Sequence, residues 1–309
     1  MPEGTSLEHI RIAFSSESLF LLNFLLGFIM FGVALGIDTK DFDQLKKNPR
    51  AVLAGVLSQF ILLPALTFAL VLIFKPEPAL ALGMMLVASC PGGNISNFIS
   101  SISGGNVSLS VSLTALATIL SPVFTPLNFE LWSGAYEGTS SFLGRFELSF
   151  MEMLKTVLIL LVVPLFIGIY FRKKLPKITA LIEKPIRILS ILVLMGFIGV
   201  ALFNNREAFE KYLQLVFFLV LVHNIVALTS GYFSGYMFRL KANLKRTITI
   251  ETGIQNSGLG LIIIFNFFDG DGGMALIAAW WGIWHIIAGL LLAFFLRRRD
   301  RSVRIRSLS

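Results

Sequence analysis

Apolar residues gather along this chain into long runs separated by short polar connections. Nine runs come close to or exceed the roughly 20 apolar residues needed to cross a bilayer. They fall at about 18–37, 51–74, 78–102, 106–128, 149–171, 186–203, 212–237, 247–267 and 273–296. The third and eighth are apolar only in part, and no connection is long enough for a soluble domain. The pattern predicts an all-α, polytopic membrane protein with nine transmembrane helices, occupying 1–309 as one integral membrane domain. The opening residues, MPEGTSLEHIRIAFSSES, lack a basic segment followed by a short apolar core, so no signal peptide or lipidation motif is expected.

The two imperfect runs are polar where a span should be most apolar. In ASCPGGNISNFISSISGGN (Ala88–Asn106), Pro91-Gly92-Gly93 interrupts the helix pattern, because Pro lacks a donor and clashes with the preceding turn. Backbone left unpaired in lipid must be satisfied by protein or water, so the break should be buried and should line a cavity. Its freed carbonyls suit a cation, and the half-helix N-terminus beyond it suits an anion. The later Ser103–Asn106 reads as a turn. In TIETGIQNSGLG, Glu251, Gly253, Gln255, Asn256, Ser257 and Gly258 fall inside a span. A carboxylate at that depth costs about 2.5–3.5 kcal/mol on insertion scales and demands a partner. Arg246 lies only at the span's end, so a bound hard cation such as Na⁺ is the natural counter-charge, by extension from Ca²⁺ and Mg²⁺ chemistry. A hydrogen-bonded structural Glu and a proton-coupled Glu are the competing readings.

Composition and charge sharpen this picture. The chain is 55% hydrophobic and 14% charged, against about 25% charged in soluble domains. Its net charge of +8 is unevenly placed. Segments 38–50, 172–187, 238–247 and 297–309 hold 20 of the 26 Lys and Arg. The others are Arg11, Lys75, Arg145, Lys155, Arg206 and Lys211. By the positive-inside rule, nine spans then put the N-terminus outside and the C-terminus in the cytoplasm of a cell (inner) membrane. The basic tail is a topology anchor in contact with the lipid bilayer, and no nucleic-acid partner is expected. Cys90 is the one cysteine, which excludes an internal disulfide and a cysteine-cluster metal site.

Weak internal similarity is ordered along the chain. FGVAL at Phe31–Leu35 matches IGVAL at Ile198–Leu202 at an offset of 167, and CPGGNISN aligns with ETGIQNSG at an offset of 161. Repeat one is about 18–128 and repeat two about 186–296. The fifth span intervenes, so the repeats are inverted in topology, which points to a secondary transporter with a midplane site. More oxygens come from the fourth span, where Ser110, Thr114 and Thr118, followed by Ser121 and Thr125, share a helix face. Back-bonding to their own helix is the plainer account of any one of them. Gln59 is the amide of the second span, and His223-Asn224 lie in the seventh.

Six fragments, CPGG-x-x-SN, GN-x-x-LS-x-x-x-T, SP-x-x-TP, HN, E-x-G-x-QNSGL and WH, occur in this order from about Leu22 to Phe295. In this the chain resembles the bile acid:sodium symporter family. The resemblance implies a core of spans 2–4 and 7–9, with the two broken helices crossing in it, and a panel of spans 1, 5 and 6. Bacterial members have ten spans and vertebrate members nine, so the nine here have precedent. It also implies two Na⁺ sites. The first would use Ser96, Asn97, Ser110, Thr114 and Glu251. The second would use Gln59, Gln255, the shared Glu251, and the backbone carbonyls of Thr252 and Ile254. A small organic anion, bile acid-like or a small carboxylate, would be carried by alternating access between core and panel, with Asn94, Asn256 and His285 as its contacts. For His285 a plain hydrogen-bonded packing role competes.

Two other readings are weaker. A metalloid exporter would use Cys90 as a soft ligand, although a buried Cys is more simply a small apolar residue. An intramembrane enzyme built on Glu251, His223 or His285 lacks a metal-binding His spacing or a nucleophile with its base. The chain is not expected to be an enzyme.

Overall fold

The computed structural model describes residues 16–144, 146, 149–204 and 206–306. Arg11 and Arg145, the opening residues through Phe14 and Ser15, and the last residues 307–309 lie outside the described residues. The described chain is helical throughout, with no strand and only one isolated backbone bridge. In chain order the principal helices are α1 (Ser16–Ala34), α2 (Pro49–Phe74), α3 (Pro78–Ser89), α4 (Ile95–Ser103), α5 (Val107–Gly134) and α6 (Phe150–Lys174). There follow α7 (Pro176–Asn204), α8 (Arg206–Met237), α9 (Ala242–Gly253), α10 (Ser257–Phe267) and α11 (Gly272–Arg306).

By length and composition, five helices among the described residues can cross a membrane: α2, α5, α6, most of α8 and most of α11. A sixth candidate is α1 with the helical turns after it, bent by 78°. Helices α3 and α10 are shorter and apolar. Most of their residues are apolar and buried. Together with α11 they form the centre of the main apolar core. Helix α1 packs chiefly against α6 and α7.

Several boundaries differ from the sequence expectation. The expected connection at 172–187 is almost entirely helical: α6 runs to Lys174, and α7 starts at Pro176, ahead of the expected 186. Pro fits a first helical position, where its missing N–H is no loss. Helix α11 likewise continues to Arg306. Hydropathy marks where a helix becomes charged, whereas the backbone hydrogen-bond ladder can continue past that point. Helix α1 ends earlier than expected, at Ala34, where Arg172 donates to Leu35 O at 2.6 Å.

Within α2 and α6 the helix widens by one residue. Leu63 N–H bonds Ser58 O, and Val163 N–H bonds Leu158 O. Each widened turn runs up to a proline, Pro64 or Pro164, whose ring displaces the normal ladder. Ser58 and Gln59, both buried, sit on the first of these turns.

The chain breaks after Ser89 and again after Gly253. The two breaks meet and pair as a single antiparallel backbone bridge between Gly92 and Gln255. Gly93 N–H donates to Ile254 O at 2.7 Å, and Asn256 N–H donates to Pro91 O at 2.9 Å. Side-chain amides cap the carbonyls left at each break: Gln59 Nε2 donates to Cys90 O and Asn224 Nδ2 to Gly253 O, both at 2.8 Å. The turn at Ser103–Asn106 also forms, with Gly104 at φ +77 and Asn106 capping α5 through Leu109 N–H.

Close approach at the bridge requires glycine. A Cβ at Gly93 would lie 2.7 Å from Gln255 O. Gly93→Ala is expected to cost about 1–3 kcal/mol through forced backbone shifts. Thermal unfolding in detergent, read beside Gly196→Ala, where a Cβ meets nothing within 4 Å, checks this.

Candidate functional site

Glu251 sits on the last turns of α9, 4% exposed, against the first break. Its Oε2 accepts from Ser96 Oγ at 2.7 Å and from Ser110 Oγ at 3.0 Å, and its Oε1 accepts from Thr114 Oγ1 at 2.5 Å. These hydroxyls come from α4 and α5, and all are buried. Asn97 joins the group through Thr114 Oγ1, which also lies 3.3 Å from Asn97 Oδ1. Gly92 leaves room for the carboxylate, since a Cβ there would lie 2.7 Å from Glu251 Oε1. No Lys or Arg among the described residues pairs with Glu251.

A second cluster lies beside it. Gln59 Nε2 donates to Gln255 Oε1 at 2.8 Å, and Gln255 Nε2 donates back to Gln59 Oε1 at 3.3 Å and to Thr252 O at 2.6 Å. Ser58 and Thr252 share a hydrogen bond of 2.8 Å between their hydroxyls. Ile254 O is the acceptor in the backbone bridge. A carbonyl oxygen has two lone pairs, so one hydrogen bond leaves Thr252 O and Ile254 O able to accept again. All nine residues expected to hold cations are thus gathered around the crossing, from α2, α4, α5, the end of α9 and the second break itself.

The serine and threonine stripe of α5 divides. Ser110 and Thr114 reach Glu251, whereas Thr118 and Ser121 only back-bond, to Thr114 O and Thr118 O at 2.8 Å each. Thr125 Oγ1 is buried without a partner. The stripe's common face is correct, but only its first two members lie at the depth of the carboxylate. His223 is also apart from it, bonded to Thr67 at 2.7 Å and stacked edge-on against Trp281.

A cavity of about 430 Å³ opens between α1 and the crossing. Asn94, Asn256 and His285 all line it. Asn94 and Asn256 stand at the N-termini of α4 and α10, so both half-helix ends face the same space. Much of the remaining wall is apolar, from Leu26, Met30, Val33, Phe98, Val111 and Ile286. His285 Nδ1 has no hydrogen-bond partner among the described residues. Cys90 is fully buried behind the break, packed as an apolar residue.

Three elements escaped the sequence reading. The widened turn that presents Gln59 was signalled only by Pro64 five residues on. The paired roles of Gln59 and Asn224 as carbonyl caps depend on contacts far apart in sequence. Met30, whose Sδ receives Asn94 Nδ2 at 3.9 Å, carries no local signal.

Long apolar helices, a carboxylate buried among hydroxyls at a crossing of interrupted helices, and a cavity beside it define a polytopic membrane protein of the transporter class. A profile of the sodium bile acid symporter family matches residues 23–211. The chain is 30% identical over 289 residues to the uncharacterized sodium-dependent transporter YocS of Bacillus subtilis, covering 92% of this chain and 87% of that protein. It is 32% identical to the probable sodium/metabolite cotransporter BASS2, chloroplastic, of Oryza sativa, over 79% of this chain and 56% of that one. It is 30% identical to the human sodium/bile acid cotransporter 4, over 76% of this chain and 53% of the relative. The match thus spans little more than half the length of these plant and human relatives. The chain belongs to the sodium bile acid symporter family, whose members are sodium-coupled transporters and not enzymes.

Thr114→Val removes a donor to a buried carboxylate, while Thr118→Val removes only a back-bond. The first is expected to cost about 1–3 kcal/mol and the second clearly less. Their melting temperatures in sodium-free detergent should separate accordingly.

Proposed function

We propose that this protein is a symporter in which two Na⁺ drive uptake of a small organic anion by alternating access. The observation that carries this reading is the Glu251 carboxylate, buried without a cationic side chain among the described residues and ringed by Ser96, Ser110 and Thr114. Hydroxyl oxygens keep lone pairs while donating, so the same groups can turn toward a cation. One Na⁺ would lie among Ser96, Asn97, Ser110, Thr114 and Glu251. The other would lie among Gln59, Gln255, Glu251 and the carbonyls of Thr252 and Ile254, parting the two amides. The anion would meet Asn94, Asn256, His285 and the half-helix N-termini. An apolar wall and a cavity of about 430 Å³ favour a carboxylate or sulfated group on an apolar body. The names of these relatives, which mention sodium with bile acids or metabolites, support the same class.

The architecture we infer has nine spans, two of them the broken pairs α3–α4 and α9–α10. Spans 1–4 and 6–9 form an inverted repeat within one domain. The matching amide caps support this: Gln59 on Cys90 O in one half, Asn224 on Gly253 O in the other. Helices α1, α6 and α7 make the panel and the rest the core. The N-terminus lies outside and the C-terminus in the cytoplasm of the cell membrane. Sodium binds first in this scheme, because the negative Glu251 opposes an anion until it is neutralised. Core and panel then move relative to one another, and the cavity changes sides.

Na⁺ at about a hundredfold its dissociation constant should stabilise the purified protein by about 2.7 kcal/mol. The melting temperature should rise with Na⁺ and not with K⁺ or choline, and Glu251→Ala should remove the rise. Proteoliposomes should take up a bile acid or small carboxylate from a test panel only with an inward Na⁺ gradient. A sodium-independent melting temperature, or wild-type uptake by Glu251→Ala, contradicts the proposal.

A further inference from the structure

Each of two apolar segments carries one amide at the end away from the cavity. In Phe20–Ala34 of α1 the only polar side chain is Asn23, and in α10 beyond Ser257 it is Asn266. They face each other across 243 residues of sequence. Asn23 Nδ2 donates to Asn266 Oδ1 at 3.2 Å, and Asn266 Nδ2 donates back to Asn23 Oδ1 at 3.0 Å. Asn266 Nδ2 also donates to Ile262 O at 2.8 Å, which fixes the orientation of its amide.

Position gives this pair its meaning. Residues 23, 26, 30 and 33 follow one face of α1, and Ile37 lies just beyond its end. Leu26, Met30, Val33 and Ile37 line the cavity and Asn23 does not. On α10 only the first residues, Ser257 and Gly258, line it, and Asn266 stands about 12 Å further along the helix at 1.5 Å per residue. The cavity instead runs the other way, to Ser101, Val107 and Glu183, beside the Lys- and Arg-rich connections. The seam between α1 and the broken helices is therefore fastened at one end and open at the other. A neutral reciprocal amide pair suits a fastening that must release, since parting it leaves no unpaired charge in the membrane. It also fixes register, as a single buried Asn does between coiled-coil helices.

We propose that Asn23 and Asn266 form the clasp that closes the cavity on the side of the N-terminus and opens when the site turns to that side. The proposal rests on the alternating-access reading above. Its test uses a reporter cysteine, Leu26→Cys, one turn from the clasp on the cavity wall. A membrane-impermeant maleimide is applied to whole cells and to inverted vesicles. The chain without the reporter, whose Cys90 is buried, supplies the background. Asn23→Leu and Asn266→Leu should each raise labelling from the N-terminal side about three- to tenfold, the range of interhelical hydrogen bonds in membranes. Labelling from the opposite side should fall, and the double variant should match the singles. If Asn23→Leu does not insert, Asn23→Ser, too short to reach Asn266, gives the same readout. Unchanged labelling, or a rise from both sides, overturns the clasp. Labelling needs neither sodium nor substrate, so a failed clasp is distinguishable from a failed sodium reading, which the wild-type melting temperature decides separately.

Discussion

Two backbone hydrogen bonds, Gly93 N–H to Ile254 O and Asn256 N–H to Pro91 O, hold the centre of this protein. Within a hydrocarbon layer a broken helix is tolerated only if its freed backbone groups find partners. Here each break supplies partners for the other, and Gln59 and Asn224 cap one further carbonyl at each break. The glycines at Gly92 and Gly93 let the chains come this close, since side chains there would strike Glu251 and Gln255 O. Once the breaks cross, Glu251 must lie beside Ser96, and both half-helix N-termini must face the same cavity.

The same crossing sets the electrostatics. Burying Glu251 with no Lys or Arg partner among the described residues is costly, and three hydroxyls offset the loss of water. Hydroxyls rotate, so they can donate to the carboxylate or turn their lone pairs to a cation. A fixed ammonium or guanidinium would neutralise the group permanently and leave nothing for an ion to do. The neighbouring Gln59–Gln255 pair has the same property, because each amide has an oxygen that another donor or a cation can satisfy. In the proposed cycle the ions replace hydrogen bonds that the empty protein makes with itself.

Legibility in the sequence followed the range of each interaction. Pro91-Gly92-Gly93 and the polar TIETGIQNSGLG announced the breaks, because Pro, Gly and a carboxylate conflict with a membrane helix locally. Ser110 and Thr114 were placed on one face by spacing, yet spacing also included Thr118 and Ser121, which turned out to back-bond. The wrong start of α7 arose because hydropathy reports the edge of the apolar layer, while the helix continues through charged residues.

The sequence by itself determined that this is an α-helical membrane protein, where its helices break, and which oxygen-bearing residues lie at those breaks. Each depends on the residue types within a few turns of chain. Tertiary structure alone decided that the breaks pair, that Gln59 from a widened turn reaches both Cys90 O and Gln255, and that Asn23 of α1 meets Asn266 of α10. Those contacts join residues far apart in sequence, often more than a hundred positions. No local propensity encodes such a pairing; it follows from burying every backbone donor and acceptor at once.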